Sequence, residues 1–96
     1  MDKSYSQIQE AMYDNYEFIR EELLQKYKIY KGLKKDVEGL FHIDIDRQFV
    51  NIVCKFVTDF LAHKMLLNVS LIDIKLFVED TFTFDNIIRI LEEGEI

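Results

Sequence analysis

Apolar side chains recur every three or four residues along the first third of the chain. They form one stripe, which consists of Tyr5, Ile8, Met12, Tyr16, Ile19, Leu23, Tyr27 and Tyr30. The mean spacing of about 3.6 residues is that of an amphipathic α-helix. Gly32 follows the stripe, and glycine is a common residue at helix ends. The pattern therefore predicts one long helix over residues 4–31, about 40 Å in length.

The segment after this helix carries two different patterns. Helical spacing relates Leu33, Val37, Leu40 and Phe41. It predicts a short second helix over residues 33–40. Residues 41–46 alternate between apolar and polar, which is typical of an extended connection or of a short strand. If they form a connection, Asp44 or Asp46 caps the helix that follows.

Residues 47–68 form the most apolar segment and predict the central helix of the core. They carry two adjacent stripes with helical spacing, Phe49, Ile52, Phe56 and Phe60 in the first and Val50, Val53, Val57 and Leu61 in the second. A helix that is apolar over most of its circumference is covered by protein on most sides. We therefore expect this helix to lie in the core alone, or in the core and at a subunit interface.

The C-terminal part predicts two further elements. Ser70, followed three residues later by Asp73, is typical of a helix N-terminus. Residues 71–78 also alternate between apolar and polar, which leaves a strand as the alternative, although the capping signal favours a helix. Thr83 or Asp85 caps a final helix. Its inward residues are Ile87, Ile88, Ile90 and Leu91.

Composition supports a helical protein with one core. The 96 residues include no proline and three glycines, and both residue types are disfavoured inside helices. The apolar content of 49% is enough for one domain over residues 1–96. The sequence thus predicts an all-α fold, a small helical bundle with a long N-terminal helix and a buried central helix. An α+β fold with short strands near 41–46 and 71–78 is the alternative.

The charge balance limits the choice of partners. Twelve Lys and Arg oppose eighteen Asp and Glu, which gives a net charge of −6. Such a surface repels nucleic acids and anionic membranes and favours basic partners. The single cysteine excludes a disulfide within the chain, and no signal peptide or apolar membrane span is evident. We expect a cytoplasmic protein that does not enter a membrane.

Candidate catalytic chemistry is weak. Three scattered glycines cannot build a phosphate-binding loop. Cys54 and His63 lie nine residues apart and point to opposite sides of one predicted helix, so they cannot form a dyad. His42, Asp44 and Asp46 could share one face of an extended segment around a divalent cation. This metal-dependent enzyme remains an alternative, but acids before a helix are common caps, and we expect no catalytic residue, no cofactor and no metal.

Two features leave nucleic-acid binding as an alternative. A run of lysines near the end of the first helix, interleaved with Tyr27 and Tyr30, could meet an acidic partner. It consists of Lys26, Lys28, Lys31, Lys34 and Lys35. Residues 70–94 have the outline of a helix-turn-helix. However, residues 70–96 contain two cations against seven acids, which disfavours contact with phosphates.

The sequence therefore favours a non-enzymatic protein–protein interaction module. By analogy of class, it resembles small acidic regulators, inhibitors, immunity proteins and antitoxins that mask a basic partner surface. The predicted contact residues are the outward tyrosines and nearby acids: Tyr13, Tyr16, Glu17, Glu21, Glu22, Tyr27 and Tyr30. Self-association through the first or third helix, giving a homodimer, is the closest rival.

Overall fold

The computed structural model describes residues 3–37, 44–65 and 68–93. Over these residues the chain forms the helices α1 (Lys3–Asp14), α2 (Tyr16–Val37), α3 (Ile45–Asp59), α4 (Leu71–Thr81) and α5 (Phe84–Glu93). A π-helical turn, Phe60–Lys64, continues α3. The predicted all-α fold is confirmed. The alternative with strands is wrong, since residues 45–46 and 71–78 are helical, while residues 41–43 lie outside the described part.

The third helix is central, as predicted. It packs against α2 on one side and against α4 and α5 on the others. Val53, Val57 and Leu61, all from the second stripe, are completely buried. Ile87 of α5 and Phe82, between α4 and α5, are also fully buried and complete this core. The bundle is elongated, with extents of 46 × 25 × 22 Å.

The first helix is not continuous, which corrects the prediction of one helix over residues 4–31. It breaks at Asn15, whose Nδ2 donates to the Ala11 carbonyl at 2.7 Å and to Met65 Sδ at 3.4 Å. The Asn15 N–H reaches Met12 O at 3.2 Å, one residue short of the α-helical partner. Asparagine competes in this way for the backbone of its own helix. The apolar stripe continues across the break because both helices bury the same side.

The predicted helix end at Gly32 is also wrong. Helix α2 runs through Gly32 to Val37, so residues 33–37 of the expected short helix belong to α2, and residues 38–40 lie outside the described range. Lys34 in the last turn of α2 bonds to Asp46 in the first turn of α3. Contacts with α3 therefore hold the helix beyond a residue that disfavours it.

Helix termini are closed by side chains that the sequence suggested. Asp44 Oδ1 accepts from the Arg47 N–H at 2.9 Å, and Ser70 Oγ accepts from the Asp73 N–H at 3.2 Å. Thr83, rather than Asp85, caps α5. A further cap comes from Arg20 of α2, which donates to the carbonyls of Ile90 and Leu91 at the end of α5. Among the described helices, none has the length and apolarity needed to cross a membrane.

Candidate interaction surfaces

Three predicted contact residues lie on the outer surface near the α1–α2 break. Tyr13 is 81% exposed, and Glu17 and Glu21 are both exposed. Between Ser4 and Ile19 the sequence contains no lysine or arginine. This part of the surface is therefore acidic and carries one accessible aromatic ring. Its role in binding stays a prediction.

The other predicted tyrosines face the interior. Tyr16 and Tyr27 are half-buried, and Tyr30 is only 6% exposed. The Tyr30 ring stacks on Phe49 with a centroid distance of 4.7 Å. The expectation that Tyr30 points outward is wrong, because its place in the apolar stripe aligns it with the fully buried Leu23. A tyrosine at core spacing buries its ring and needs a polar partner for its hydroxyl.

An open cleft of about 550 Å³ lies between α1 and α4. Its floor is apolar, since Met12 and Phe77 are both buried. Tyr5 packs edge-on against Phe77 with a centroid distance of 4.7 Å. The remaining lining residues are Ser6, Gln9, Glu10, Tyr13 and Thr81. The cleft thus combines tyrosine rings with polar and acidic groups.

One acidic side chain lines this cleft. Glu10 lines it from α1 and is exposed. On α4, Asp73 and Asp80 are also exposed, four residues before and three residues after Phe77, but they are not among the residues that line the cleft. The described residues include no ion pair for any of these three acids. A ligand in the cleft would therefore meet uncompensated negative charge.

A second surface lies where α2 packs beside α3, and we call it the α2–α3 face. Its four most exposed apolar residues are Phe18 at 48%, Ile29 at 64%, Leu33 at 51% and Ile52 at 54%. The half-buried rings of Phe56 and Phe60 lie beside Phe18, with centroids 6.3 Å and 5.2 Å from that of its ring. A small groove of about 120 Å³ runs beside Ile29 and Ile52. Exposed apolar side chains on two adjacent helices are of the kind that marks an interaction site.

Most residues of the α2–α3 face were missed as contacts by the sequence. Phe18, Ile29 and Leu33 fall outside the apolar stripe of α2, among charged residues. The available signal was the first stripe of α3, because a helix with two apolar stripes has more apolar surface than one core can cover. That stripe contains the exposed Ile52.

The charges at the centre of this face pair with each other. Lys26 Nζ lies 3.5 Å from Glu22 Oε2 and 4.3 Å from the centroid of the Phe56 ring. Glu22, predicted as a partner contact, is thus engaged within the chain. Lys34 is likewise bound to Asp46, so two lysines of the basic run have partners within the protein.

Tyr30, Lys34 and Asp46 form a polar cluster that joins α2 to α3. The Tyr30 hydroxyl donates to Asp46 Oδ1, and Lys34 Nζ lies 3.2 Å from both of these oxygens. The hydrogen bond from Tyr30 lowers the pKa of Asp46 below its ordinary value. Burial, followed by the same bond, raises the pKa of Tyr30. The bond to Tyr30 also raises the pKa of Lys34. The hydrogen bonds of this cluster stabilise the charged forms of Asp46 and Lys34 and hold α2 against α3.

The two acids of the hypothetical metal site, Asp44 and Asp46, make other contacts in the structure. Asp44 caps α3, Asp46 belongs to the polar cluster, and His42 lies outside the described residues. In the ranges 3–37, 44–65 and 68–93 there is no group of three or more His, Cys, Asp and Glu that could hold a metal ion.

The single thiol lies inside the bundle. Cys54 is half-buried, and its Sγ is 3.6 Å from the carbonyl oxygen of Phe82. Burial, and to a lesser degree the charge of Glu79, raises the pKa of Cys54. The thiol therefore remains protonated near neutral pH, where a nucleophilic cysteine needs the thiolate. His63 is exposed.

The helix-turn-helix outline is present, with α4 and α5 joined at Phe82 and Thr83. The exposed acids of this unit are Asp73, Glu79, Asp80, Asp85 and Glu92. DNA binding by these helices stays an untested alternative.

Comparison with known proteins assigns none of these surfaces. No protein-family model, no curated protein and no solved structure matches the chain significantly. What can be inferred about function therefore rests on the chemistry of the surfaces themselves.

Proposed function

We propose that this chain is a non-enzymatic interaction module that binds a basic segment of another protein in the cleft between α1 and α4. The observation that carries this proposal is the combination of accessible aromatic rings with an exposed carboxylate in one cleft. Tyr5 and Tyr13 offer ring surface, while Glu10 supplies negative charge from α1. Lysine and arginine side chains suit such a site because their stems are apolar and their ends are cationic.

Each part of the cleft contributes differently to binding. The acids raise the rate of encounter with a cationic partner, and this effect weakens with salt. Tyr13 at the edge is accessible enough to lie under a cationic group, an interaction worth about 0.5–1 kcal/mol at an exposed site. The accessible ring surfaces of Tyr5 and Tyr13 add affinity when they are removed from water. Covering a basic surface in this way is how a small cytoplasmic regulator or inhibitor would act.

The contacts and protonation states of the ionisable groups favour a binding role over a catalytic one. Asp46 and Lys34 hold two helices together, and the Cys54 thiol is held in its neutral form. In the cleft, the accessible charged group is the carboxylate of Glu10, which lies among aromatic rings. Such groups recognise cations without needing a bound water or a matched base.

Binding of a fluorescent arginine-rich peptide, measured by anisotropy, tests the proposal. We expect the variant E10Q to bind more weakly than the original chain. The control E92Q makes the same change in net charge at an exposed residue that does not line the cleft, and it should keep its affinity. Equal weakening by both variants would reduce the effect to overall charge and contradict a defined site.

Tyr13→Ala tests the aromatic contribution at constant charge. Loss of one exposed cation–π contact should weaken the binding of the peptide by about two- to fivefold. Phe18→Ala removes a partly exposed ring from the α2–α3 face and serves as the control. If Tyr13→Ala binds the peptide with unchanged affinity, Tyr13 does not take part in binding.

A further inference from the structure

We propose that the α2–α3 face is the docking surface for a second copy of this chain. Four of its apolar side chains are about half exposed or more, and they belong to two adjacent helices rather than to one. This proposal does not rest on the proposed function, because the cleft is built from α1 and α4. The occupant is argued from the charge pattern of the face and from its size.

The charge pattern is self-complementary. Glu22 and Lys26 lie one helical turn apart at the centre of the α2 edge, with opposite signs. A two-fold axis that crosses α2 between them places Glu22 of one copy over Lys26 of the other, and the reverse. The two charges of this centre sum to zero, so two chains of net charge −6 would meet at a locally neutral centre.

The same two-fold axis also brings the apolar residues of one copy against those of the other. Lys26 lies over the Phe56 ring, which puts Phe56 at the level of the axis on α3. Phe18 and Phe60 lie together on one side of this level, with ring centroids 5.2 Å apart. Ile29 and Ile52 line the groove on the other side. The axis therefore lays the isoleucine pair of each copy against the phenylalanine pair of the other.

The size of the face is sufficient for a dimer. Helix α2 has 22 residues and is therefore about 33 Å long. Two helices packed side by side are about 20 Å wide, so the whole side of the helix pair has an outline of roughly 650 Å². Stable interfaces begin at about 600 Å² for each partner. Two copies would form two stacked layers of two helices each, with α2 antiparallel to α2 and α3 antiparallel to α3.

Light scattering after size-exclusion chromatography tests this assembly. We expect twice the chain mass of 11.5 kDa at micromolar concentration. The variant I29D/I52D places charges on two exposed positions and should weaken the dimer by more than about tenfold. The matched control I72D/L76D alters equally exposed residues of α4 and should remain a dimer. A monomer of the original chain at all concentrations, or a dimer lost only in the control, would overturn the proposal.

A charge exchange tests the position of the axis without altering any apolar residue. The variant Glu22→Lys alone brings two lysines together at each contact across the axis, and Lys26→Glu alone brings two glutamates together, so each variant should be mainly monomeric. An equimolar mixture of the two variants pairs opposite charges at both contacts and should recover the dimer mass. Failure of the mixture to recover the dimer, with both variants helical by circular dichroism, would refute the two-fold arrangement.

Discussion

The hydroxyl of Tyr30 donates a hydrogen bond to Asp46 Oδ1, and this contact joins the C-terminal part of α2 to the first turn of α3. The same carboxylate accepts a charge-assisted bond from Lys34. The contact lies at one end of the α2–α3 helix pair, so it fixes how that pair is aligned. The α2–α3 face depends on this alignment, since it is formed by these two helices.

The polar cluster predicts a specific pH dependence of stability. Because the pKa of Asp46 is lowered in the folded chain, its stabilising effect is complete above the ordinary value of 3.8 and is lost as the pH falls below it. The raised pKa of Tyr30 has the opposite sign, so its contribution is present below 10.0 and is lost at higher pH. Chemical unfolding followed by circular dichroism between these limits and beyond them measures both losses.

The variant Asp46→Asn separates this effect from that of the other acids. Because the pair with Lys34 is about half exposed, we expect a loss of only roughly 1 kcal/mol near neutral pH. The difference from the original chain should shrink as the pH falls below 3.8. Asp59→Asn, at an exposed site without an ion pair in the described structure, is the control and should track the original chain. A constant difference at every pH would contradict the role of Asp46.

Gly32→Ala tests whether α2 continues through this position. A β-carbon added at Gly32 would meet no atom within 4 Å. In a helix interior, the substitution should therefore raise the free energy of unfolding by about 0.4–1 kcal/mol. If the helix instead ended there in a left-handed conformation, alanine would be strained and the protein would lose stability. Urea unfolding of the two chains distinguishes these signs.

Two isoleucines test where the core ends. Ile87 is completely buried, whereas Ile72 is 69% exposed on α4. Ile87→Ala should lower the free energy of unfolding by about 2–5 kcal/mol, because it removes apolar contacts and leaves a cavity. Ile72→Ala makes the same chemical change and should alter stability by less than about 0.5 kcal/mol. Similar losses for both variants, measured by urea unfolding, would contradict the assigned core.

Features that depend only on residues close together in the sequence were predicted correctly, such as helix caps and the buried side of α3. Ser70 and Asp44 are capping residues because their short oxygen-bearing side chains reach the backbone two or three residues ahead. The second stripe of α3 predicted the buried side of the central helix for a similar reason. Helical spacing alone aligns Val53, Val57 and Leu61.

The predictions that were wrong concern positions where contacts between residues far apart in the sequence determine the structure. Gly32 favours a helix end on its own, but contacts between α2 and α3 extend the helix past it. Asn15 is compatible with a helix by composition, yet its side chain bonds to Ala11 and to Met65, fifty residues away. The cleft between α1 and α4 was not predictable either, because it depends on which helices become neighbours. Of its lining residues, only Tyr13 was among the predicted contacts.

The most direct test of the proposed function is to map the peptide on the protein. The chain, labelled with ¹⁵N, is titrated with an arginine-rich peptide while amide resonances are followed by two-dimensional NMR. We expect the largest shifts at Glu10, Tyr13 and Thr81, which line the cleft, with little change at Ile29 and Ile52 on the α2–α3 face. Shifts confined to the α2–α3 face, or spread evenly over all exposed acids, would contradict a basic-peptide site in the cleft.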